Sequence, residues 1–146
     1  MIAAYHRRVT GDDETAKLAA ARAWSIWEGT AISLLPDPAR VAAFGTPSYA
    51  VAFARIETHY FQNRGFFERD DQLLANAGKL TGIPGVIVHG RYDLCTPIST
   101  AWDLQKRWPE ASYRPVTDAG HAMTEPGIIH ELVTATEEFK LRPAQS

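Results

Sequence analysis

The sequence predicts a mixed α/β fold in which an all-helical region precedes a short parallel sheet. Residues 12–74 show helical periodicity without a strand pattern, whereas from Ile83 onward short apolar runs alternate with helical segments. Such alternation with short connections is typical of right-handed β-α-β units. We therefore assign residues 1–78 to the helical region and residues 79–146 to the α/β region.

The helical region begins with a helix predicted over residues 12–28. Residues 10–14 offer a side-chain cap and acidic groups, which complement the free N–H groups and the dipole of a first helical turn. An alanine-rich stretch follows, and Gly29 is the predicted stop because glycine commonly ends helices.

Prolines interrupt the helices in the rest of this region, because proline lacks an N–H group and restricts the residue before it. A short helix is predicted over Pro38–Phe44 and a longer one over residues 48–63. In the longer helix, large apolar residues recur at spacings of four, three and four, which predicts an apolar helical face. These residues are Tyr49, Phe53, Ile56 and Tyr60.

In the α/β region, residues 86–88 form a continuous apolar run typical of a strand buried on both faces of a parallel sheet. Residues 113–116 are a weaker strand candidate. Helices are predicted over residues 97–108 and 126–139, the second with proline in its first turn. The tail, residues 142–146, is predicted to be frayed.

Composition excludes several functional classes. Hydrophobic residues make up 45% of the 146 residues, charged residues 22%, and the net charge is −2, so no basic surface for nucleic acid is expected. No apolar run of about 18 residues predicts a membrane span. The single cysteine, Cys95, allows no internal disulfide, which favours the cytoplasm. No Cys/His spacing predicts a metal site.

Asp93 and His121 are the candidate catalytic residues, since each follows a predicted strand and functional groups collect at the carboxyl ends of parallel strands. An acid that holds one nitrogen of a histidine orients the other nitrogen for base catalysis, as in the Ser-His-Asp triad. In α/β-hydrolases the chain order is Ser, Asp, His. Two alternatives remain open: Asp93 as a turn residue that caps its own backbone, and His121 as an exposed loop residue.

The nucleophile of such a triad is missing from this sequence. No serine has glycine both two residues before and two residues after it, as the elbow G-x-S-x-G requires; the serines are at positions 25, 33, 48, 99, 112 and 146. We therefore expect this chain to be the second half of an α/β-hydrolase, with a missing N-terminal half as its partner.

Several motifs in one order carry a family resemblance. They are residues 20–28 (AARAWSIWE), 53–61 (FARIETHYF), 90–97 (GRYDLCTP), 108–111 (WPEA), 119–121 (AGH) and 125–128 (EPGI). With them the chain resembles the C-terminal half of the proline iminopeptidases, also called prolyl aminopeptidases. The resemblance implies a partial α/β-hydrolase fold preceded by a helical cap, and a serine peptidase that releases N-terminal proline from peptides without a cofactor.

The resemblance also implies substrate-binding residues. Glu28 and Glu57 would hold the ammonium group of the N-terminal proline, Phe61 would form a wall of the proline pocket, and Cys95 is a weaker pocket candidate. Aromatic residues flank both glutamates at helical spacing, and aromatic faces favour a nearby cation. The alternatives are that the glutamates are solvated or paired with a nearby arginine, and that Phe61 packs in the core.

Two other functions remain open. The chain could belong to another α/β-hydrolase (an esterase, amidase or epoxide hydrolase), which would use Asp93 and His121 without needing Glu28 and Glu57. It could also be a truncated, non-catalytic binding module. In every case an unpaired sheet edge predicts self-association of the isolated chain.

Overall fold

The computed structural model describes residues 1–141, so the predicted frayed tail lies outside the described residues. The chain divides into two compact units: residues 1–31 with 35–72, and residues 32–34 with those from 73 onward. The sequence places the boundary a few residues later, after residue 78, and the two domains stay a prediction. None of the helices in the described part is long and apolar enough to cross a membrane.

The first unit is helical. Its helices are α1 (Ile2–Thr10), α2 (Glu14–Ala31), α3 (Pro38–Phe44) and α4 (Pro47–Gln62), followed by a 3-10 turn at Arg64–Phe66. Helix α1 is absent from the sequence prediction. It is held by tertiary packing: Val9 is fully buried, and the ring of Tyr5 meets Trp24 edge-on with centroids 5.1 Å apart.

One detail of α2 confirms the sequence interpretation and another corrects it. The side chain that caps its first turn is Asp13, whose Oδ1 accepts the N–H groups of Thr15 and Ala16 at 3.0 Å each. Gly29 lies inside the helix and does not stop it. An added Cβ there would lie 2.8 Å from the Phe44 ring, so Gly29 permits close packing of α2 against α3.

Helix α4 confirms the predicted helix over residues 48–63 but not its predicted inner face. The buried residues are Ala50, Ala54 and Thr58, at a spacing of four. Ile56 and Tyr60 are more than half exposed. Small side chains let α4 approach α1 and α2 closely and form the centre of its inner face. Of the four large residues predicted there, Phe53 is partly buried against this core.

The second unit contains the predicted β-α-β arrangement. After two short helical segments, α5 (Gln72–Ala75) and a 3-10 turn (Ala77–Leu80), come β1 (Gly85–Gly90), α6 (Ile98–Arg107), β2 (Ala111–Val116) and α7 (Pro126–Lys140). Strands β1 and β2 pair in parallel from Gly85↔Ala111 to Gly90↔Val116. The carboxyl ends of the two strands therefore lie side by side.

Strand β1 is less buried than its sequence predicts. Its residues are half-buried except Gly90, so the expectation of a strand buried on both faces is wrong for the described chain. On one face Val88 packs against a small core of Val116, Ala119 and Ile128. On that same side, Arg114 of β2 pairs with Glu131 and Glu138 of α7, at 3.3 Å and 2.6 Å, and ties the helix to the sheet.

The end of β1 passes directly against the loop that follows β2. A Cβ built on Gly90 would lie 1.8 Å from the carbonyl oxygen of Gly120 and 2.7 Å from that of Ala119. Both obstacles are backbone atoms that cannot rotate away. Only glycine therefore fits at position 90 in this arrangement.

We expect Gly90→Ala to lower the free energy of unfolding by more than about 2 kcal/mol, because the backbone must shift to accommodate the methyl group. Urea unfolding followed by circular dichroism measures the loss. The matched control is Gly78→Ala, since a Cβ at Gly78 would meet nothing within 4 Å. Equal stability of the two variants would contradict the close approach.

Candidate active site

Backbone hydrogen bonds bring together the two loops that carry Asp93 and His121. Directly after β1, the N–H of Arg91 donates to the carbonyl of Val116 at 2.8 Å, and the N–H of Tyr92 donates to that of Ala119 at 3.0 Å. These bonds continue the strand pairing beyond the sheet. The residues that follow, Asp93 and His121, consequently meet although they are 28 positions apart.

Asp93 and His121 form a hydrogen-bonded pair. The distance between His121 Nδ1 and Asp93 Oδ2 is 2.9 Å; the Asp93 side chain is 5% exposed and that of His121 39%. An ionised carboxylate only accepts, so the ring donates through Nδ1–H. The neutral ring then keeps the lone pair on Nε2, which is the tautomer a general base needs.

The same aspartate also caps its own turn, which the sequence analysis considered as an alternative role. Its Oδ1 accepts the N–H groups of Cys95 at 3.0 Å and Thr96 at 2.8 Å. Its Oδ2 accepts the Thr96 hydroxyl at 2.8 Å, in addition to the His121 ring. The turn therefore fixes the carboxylate in the orientation in which it meets His121.

These bonds determine the charge state of Asp93. Burial acts to raise the pKa of its carboxyl, but the hydrogen bonds from the Thr96 N–H, the His121 ring and the Thr96 hydroxyl outweigh burial and hold the pKa below its ordinary value. Asp93 is therefore ionised at neutral pH, as required of a group that stabilises an imidazolium.

The turn carrying His121 is anchored by two acceptors that the sequence analysis did not identify. The carbonyl of Ile32 accepts the N–H groups of His121 at 2.9 Å and Ala122 at 2.8 Å. The Glu125 Oε1 accepts the Gly120 N–H at 3.0 Å. The EPGI motif contains Glu125, but nothing in its spacing indicates which backbone group the carboxylate binds.

A second histidine, His89, lies beside the pair. Its Nε2 is 2.9 Å from the Thr96 carbonyl oxygen and 3.4 Å from Asp93 Oδ2, and its side chain is 15% exposed. The sequence alone indicates no role for His89. The available signal is its position at the carboxyl end of β1, four residues before Asp93.

Asp93, Cys95 and His121 each offer an atom that could bind a metal, all within 4.8 Å of one another. Both Asp93 oxygens already accept hydrogen bonds from the turn and from His121. We therefore assign the Asp93 and His121 atoms to their hydrogen-bonded pair, and the expected absence of a metal stays a prediction. Cys95 is exposed and carries no disulfide.

The other predicted site residues, Glu28, Glu57 and Phe61, belong to the first unit. The indole N–H of Trp24 donates to Glu57 Oε2 at 2.5 Å, and the rings of Trp24 and Phe61 lie 6.2 Å apart. Glu28 follows Trp24 by one helical turn and is 8% exposed, while Phe61 is 49% exposed. Trp24, one of the aromatic residues predicted to flank Glu28, thus also contacts both Glu57 and Phe61, which the sequence does not predict.

The low pKa of Asp93 predicts a dependence of stability on pH. A group whose pKa is lower in the folded than in the unfolded chain stabilises the fold above its unfolded pKa, near 4, and loses that effect as the pH falls through its folded pKa. We expect Asp93→Asn to flatten the loss of stability between about pH 5 and pH 2.

Urea unfolding across this pH range measures the slope. Asp103→Asn is the control, because the Asp103 side chain is 47% exposed and its pair with Lys106 contributes little in water. The low pKa of Asp93 would be contradicted if the dependence of the unfolding free energy on pH were unchanged in Asp93→Asn but flattened in Asp103→Asn.

Comparison with known proteins identifies relatives that are similar in sequence to this chain. No protein-family model matches the chain. A proline iminopeptidase of Xylella fastidiosa is 54% identical over 139 residues, which is 95% of this chain and 44% of the relative. Proline iminopeptidases of Arabidopsis thaliana and Neisseria gonorrhoeae are 49% and 44% identical over 96% and 95% of the chain, and 37% and 43% of their own lengths.

The chain spans less than half the length of these relatives, and the segment it matches is their C-terminal part. The resemblance read from the motifs is thereby confirmed over 95% of the chain. In sequence, this chain corresponds to the C-terminal part of the proline iminopeptidases.

Proposed function

We propose that the chain is the C-terminal portion of a proline iminopeptidase, a serine aminopeptidase that releases N-terminal proline from peptides. The observation that carries this proposal is the Asp93–His121 pair at adjacent strand ends, with Nε2 left for a nucleophile, in a chain 54% identical to an enzyme of that name. By itself the chain is expected to be inactive, because it has no G-x-S-x-G serine.

In this proposal the N-terminal half supplies the serine and the donors of the oxyanion hole. His121 Nε2 takes the serine proton while the serine oxygen attacks the carbonyl carbon of the N-terminal proline, and Asp93 stabilises the imidazolium. His121 then gives that proton to the departing amine. Water, activated by the same ring, hydrolyses the acyl-serine, frees proline and restores the serine.

The proposal also assigns a role in the fold to each part of the chain. Residues 1–78 act as a helical cap, and residues 79–146 complete the sheet of an α/β-hydrolase. Within the described residues β1 and β2 have only each other as neighbours, so each has an edge at which another strand can pair. The N-terminal half is the proposed partner there, and self-association uses the same edge when that half is absent. The cytoplasm remains the proposed compartment.

Recognition of the substrate amine is assigned to the first unit. Glu57 is oriented by the Trp24 indole, and Glu28 lies one turn along the same helix as Trp24. Carboxylates held beside aromatic rings favour a bound cation, which the secondary ammonium of an N-terminal proline provides. Phe61 would contact the pyrrolidine ring, while Cys95 remains a pocket candidate on the second unit.

The strongest alternative is another α/β-hydrolase, such as an esterase, amidase or epoxide hydrolase. It would share the Asp93–His121 pair but would have no use for a cation-binding carboxylate. A non-catalytic binding module would need neither group. Substrate preference therefore separates these functions from aminopeptidase activity.

We expect release of a chromogenic amine from its proline amide only when this chain is combined with the N-terminal half of a relative such as the Xylella fastidiosa enzyme. His121→Asn should then lower kcat by at least about 10³-fold, because the general base is lost. His130→Asn, an exposed histidine on α7, is the control. Activity of the unmixed chain would show that the nucleophile lies in these 146 residues.

For amine recognition we expect Glu57→Gln to lower kcat/KM for the proline amide by about 10- to 100-fold, since a hydrogen bond to a charged group contributes about 1.5–3 kcal/mol. An ester of the same size without the amine should lose far less. Glu14→Gln is the control, because that side chain is 81% exposed in the same unit. Equal losses on both substrates would favour the other hydrolases.

A further inference from the structure

Asp93 lies between two imidazole rings. The Nδ1 of His121 and the Nε2 of His89 are 2.9 Å and 3.4 Å from the same carboxylate oxygen, Oδ2. The proposed mechanism uses only His121. The position of His89, largely buried and at the end of β1, therefore needs its own explanation.

The chemistry of its partner determines the direction of the His89 hydrogen bond. Its Nε2 is 2.9 Å from the carbonyl oxygen of Thr96, and a carbonyl can only accept, so Nε2–H is the donor. In the neutral ring the proton is therefore on Nε2. The bond joins the last residues of the strand to the far end of the turn that contains Asp93.

Thr96 holds both oxygens of the Asp93 carboxylate. Its N–H donates to Asp93 Oδ1 at 2.8 Å, and its hydroxyl donates to Oδ2 at 2.8 Å. The same hydroxyl oxygen lies 3.3 Å from His121 Nδ1. A displacement of Thr96 would thus disturb both oxygens of the carboxylate and the ring that it holds.

The surroundings of His89 place it on the α6 side of the sheet. Neighbouring residues of a strand point to opposite faces, and Val88 packs on the α7 side together with the Arg114, Glu131 and Glu138 ion pairs. On the α6 side, Arg91 and Tyr113 line a groove of about 320 Å³. Asp93 is the carboxylate that His89 meets at 3.4 Å.

We propose that His89 is a positioning residue of the Asp93–His121 pair: its Nε2–H holds the Thr96 carbonyl, and through Thr96 it fixes the carboxylate that orients His121. The inference rests on the proposed function only where it assigns a catalytic role to the Asp93–His121 pair. The hydrogen bonds themselves can be measured in the chain without any activity.

The test uses the full 146-residue chain labelled with ¹⁵N and examined by NMR at neutral pH. His89→Gln keeps an amide N–H donor near the position of Nε2, whereas His89→Leu keeps the bulk but removes the donor. We expect the Nδ1–H proton of His121 to be observed in the unchanged chain and in His89→Gln. In His89→Leu its exchange with water should be at least about tenfold faster, because the bond to Asp93 opens more often.

His130→Leu on α7 controls for removal of a histidine in general. Equal exchange of the His121 proton in His89→Leu and the unchanged chain would overturn the proposal. An equal acceleration of this exchange in His89→Gln and His89→Leu would overturn it too, because the ring itself and not its N–H donor would then be required. Should His89→Leu fail to fold, the ring ¹⁵N shifts of His89 in the unchanged chain still decide: a proton on Nδ1 instead of Nε2 contradicts the bond to Thr96.

Activity provides a separate readout in the chain combined with its N-terminal half. His89→Leu should lower kcat with little change in KM, and His89→Gln should restore most of kcat, because the substrate-binding residues are untouched. Absence of activity in every sample would count against the proposed function. The NMR result would still test the positioning role of His89, because it needs no activity. A fall in kcat that His89→Gln does not restore would contradict the positioning role.

Discussion

The second unit depends on the close approach of two backbones at Gly90. Parallel pairing brings the ends of β1 and β2 side by side, but pairing alone leaves room for a side chain between the loops that follow. At Gly90 that room is absent, since a Cβ would lie 1.8 Å from the Gly120 carbonyl oxygen. The approach lets Tyr92 donate to Ala119, and this bond sets the distance at which Asp93 meets His121.

Asp93 shows how one carboxylate can be both a structural and a chemical group. Oδ1 is occupied by two backbone N–H groups of the turn, whereas Oδ2 faces the His121 ring and the Thr96 hydroxyl. Donors to an ionised carboxylate lower its pKa, and a carboxylate that stays ionised is the better partner for an imidazolium. The turn bonds therefore serve the pair as well as the fold.

The sequence predicts those features that depend on local chemistry. Proline predicts the start of helix α3 at Pro38, and the strand patterns before Asp93 and His121 predict that both residues follow strands. Features that depend on packing were missed or misassigned. Gly29 does not end α2 as the sequence predicts but admits the Phe44 ring, and most of the large apolar residues of α4 are exposed while alanines face the core.

The partners of the candidate residues were the least predictable part, because their contacts join distant positions. Nothing in the sequence says that the Ile32 carbonyl holds the His121 backbone or that Trp24 donates to Glu57. All contacts described for the Asp93–His121 pair come from residues 32–34 and 85–125, so its geometry needs no serine nearby. In the proposed enzyme the remaining requirement is geometric: a nucleophile from the N-terminal half must reach hydrogen-bond distance of His121 Nε2, and the oxyanion donors that accompany it must stabilise the charge that develops on the attacked carbonyl oxygen.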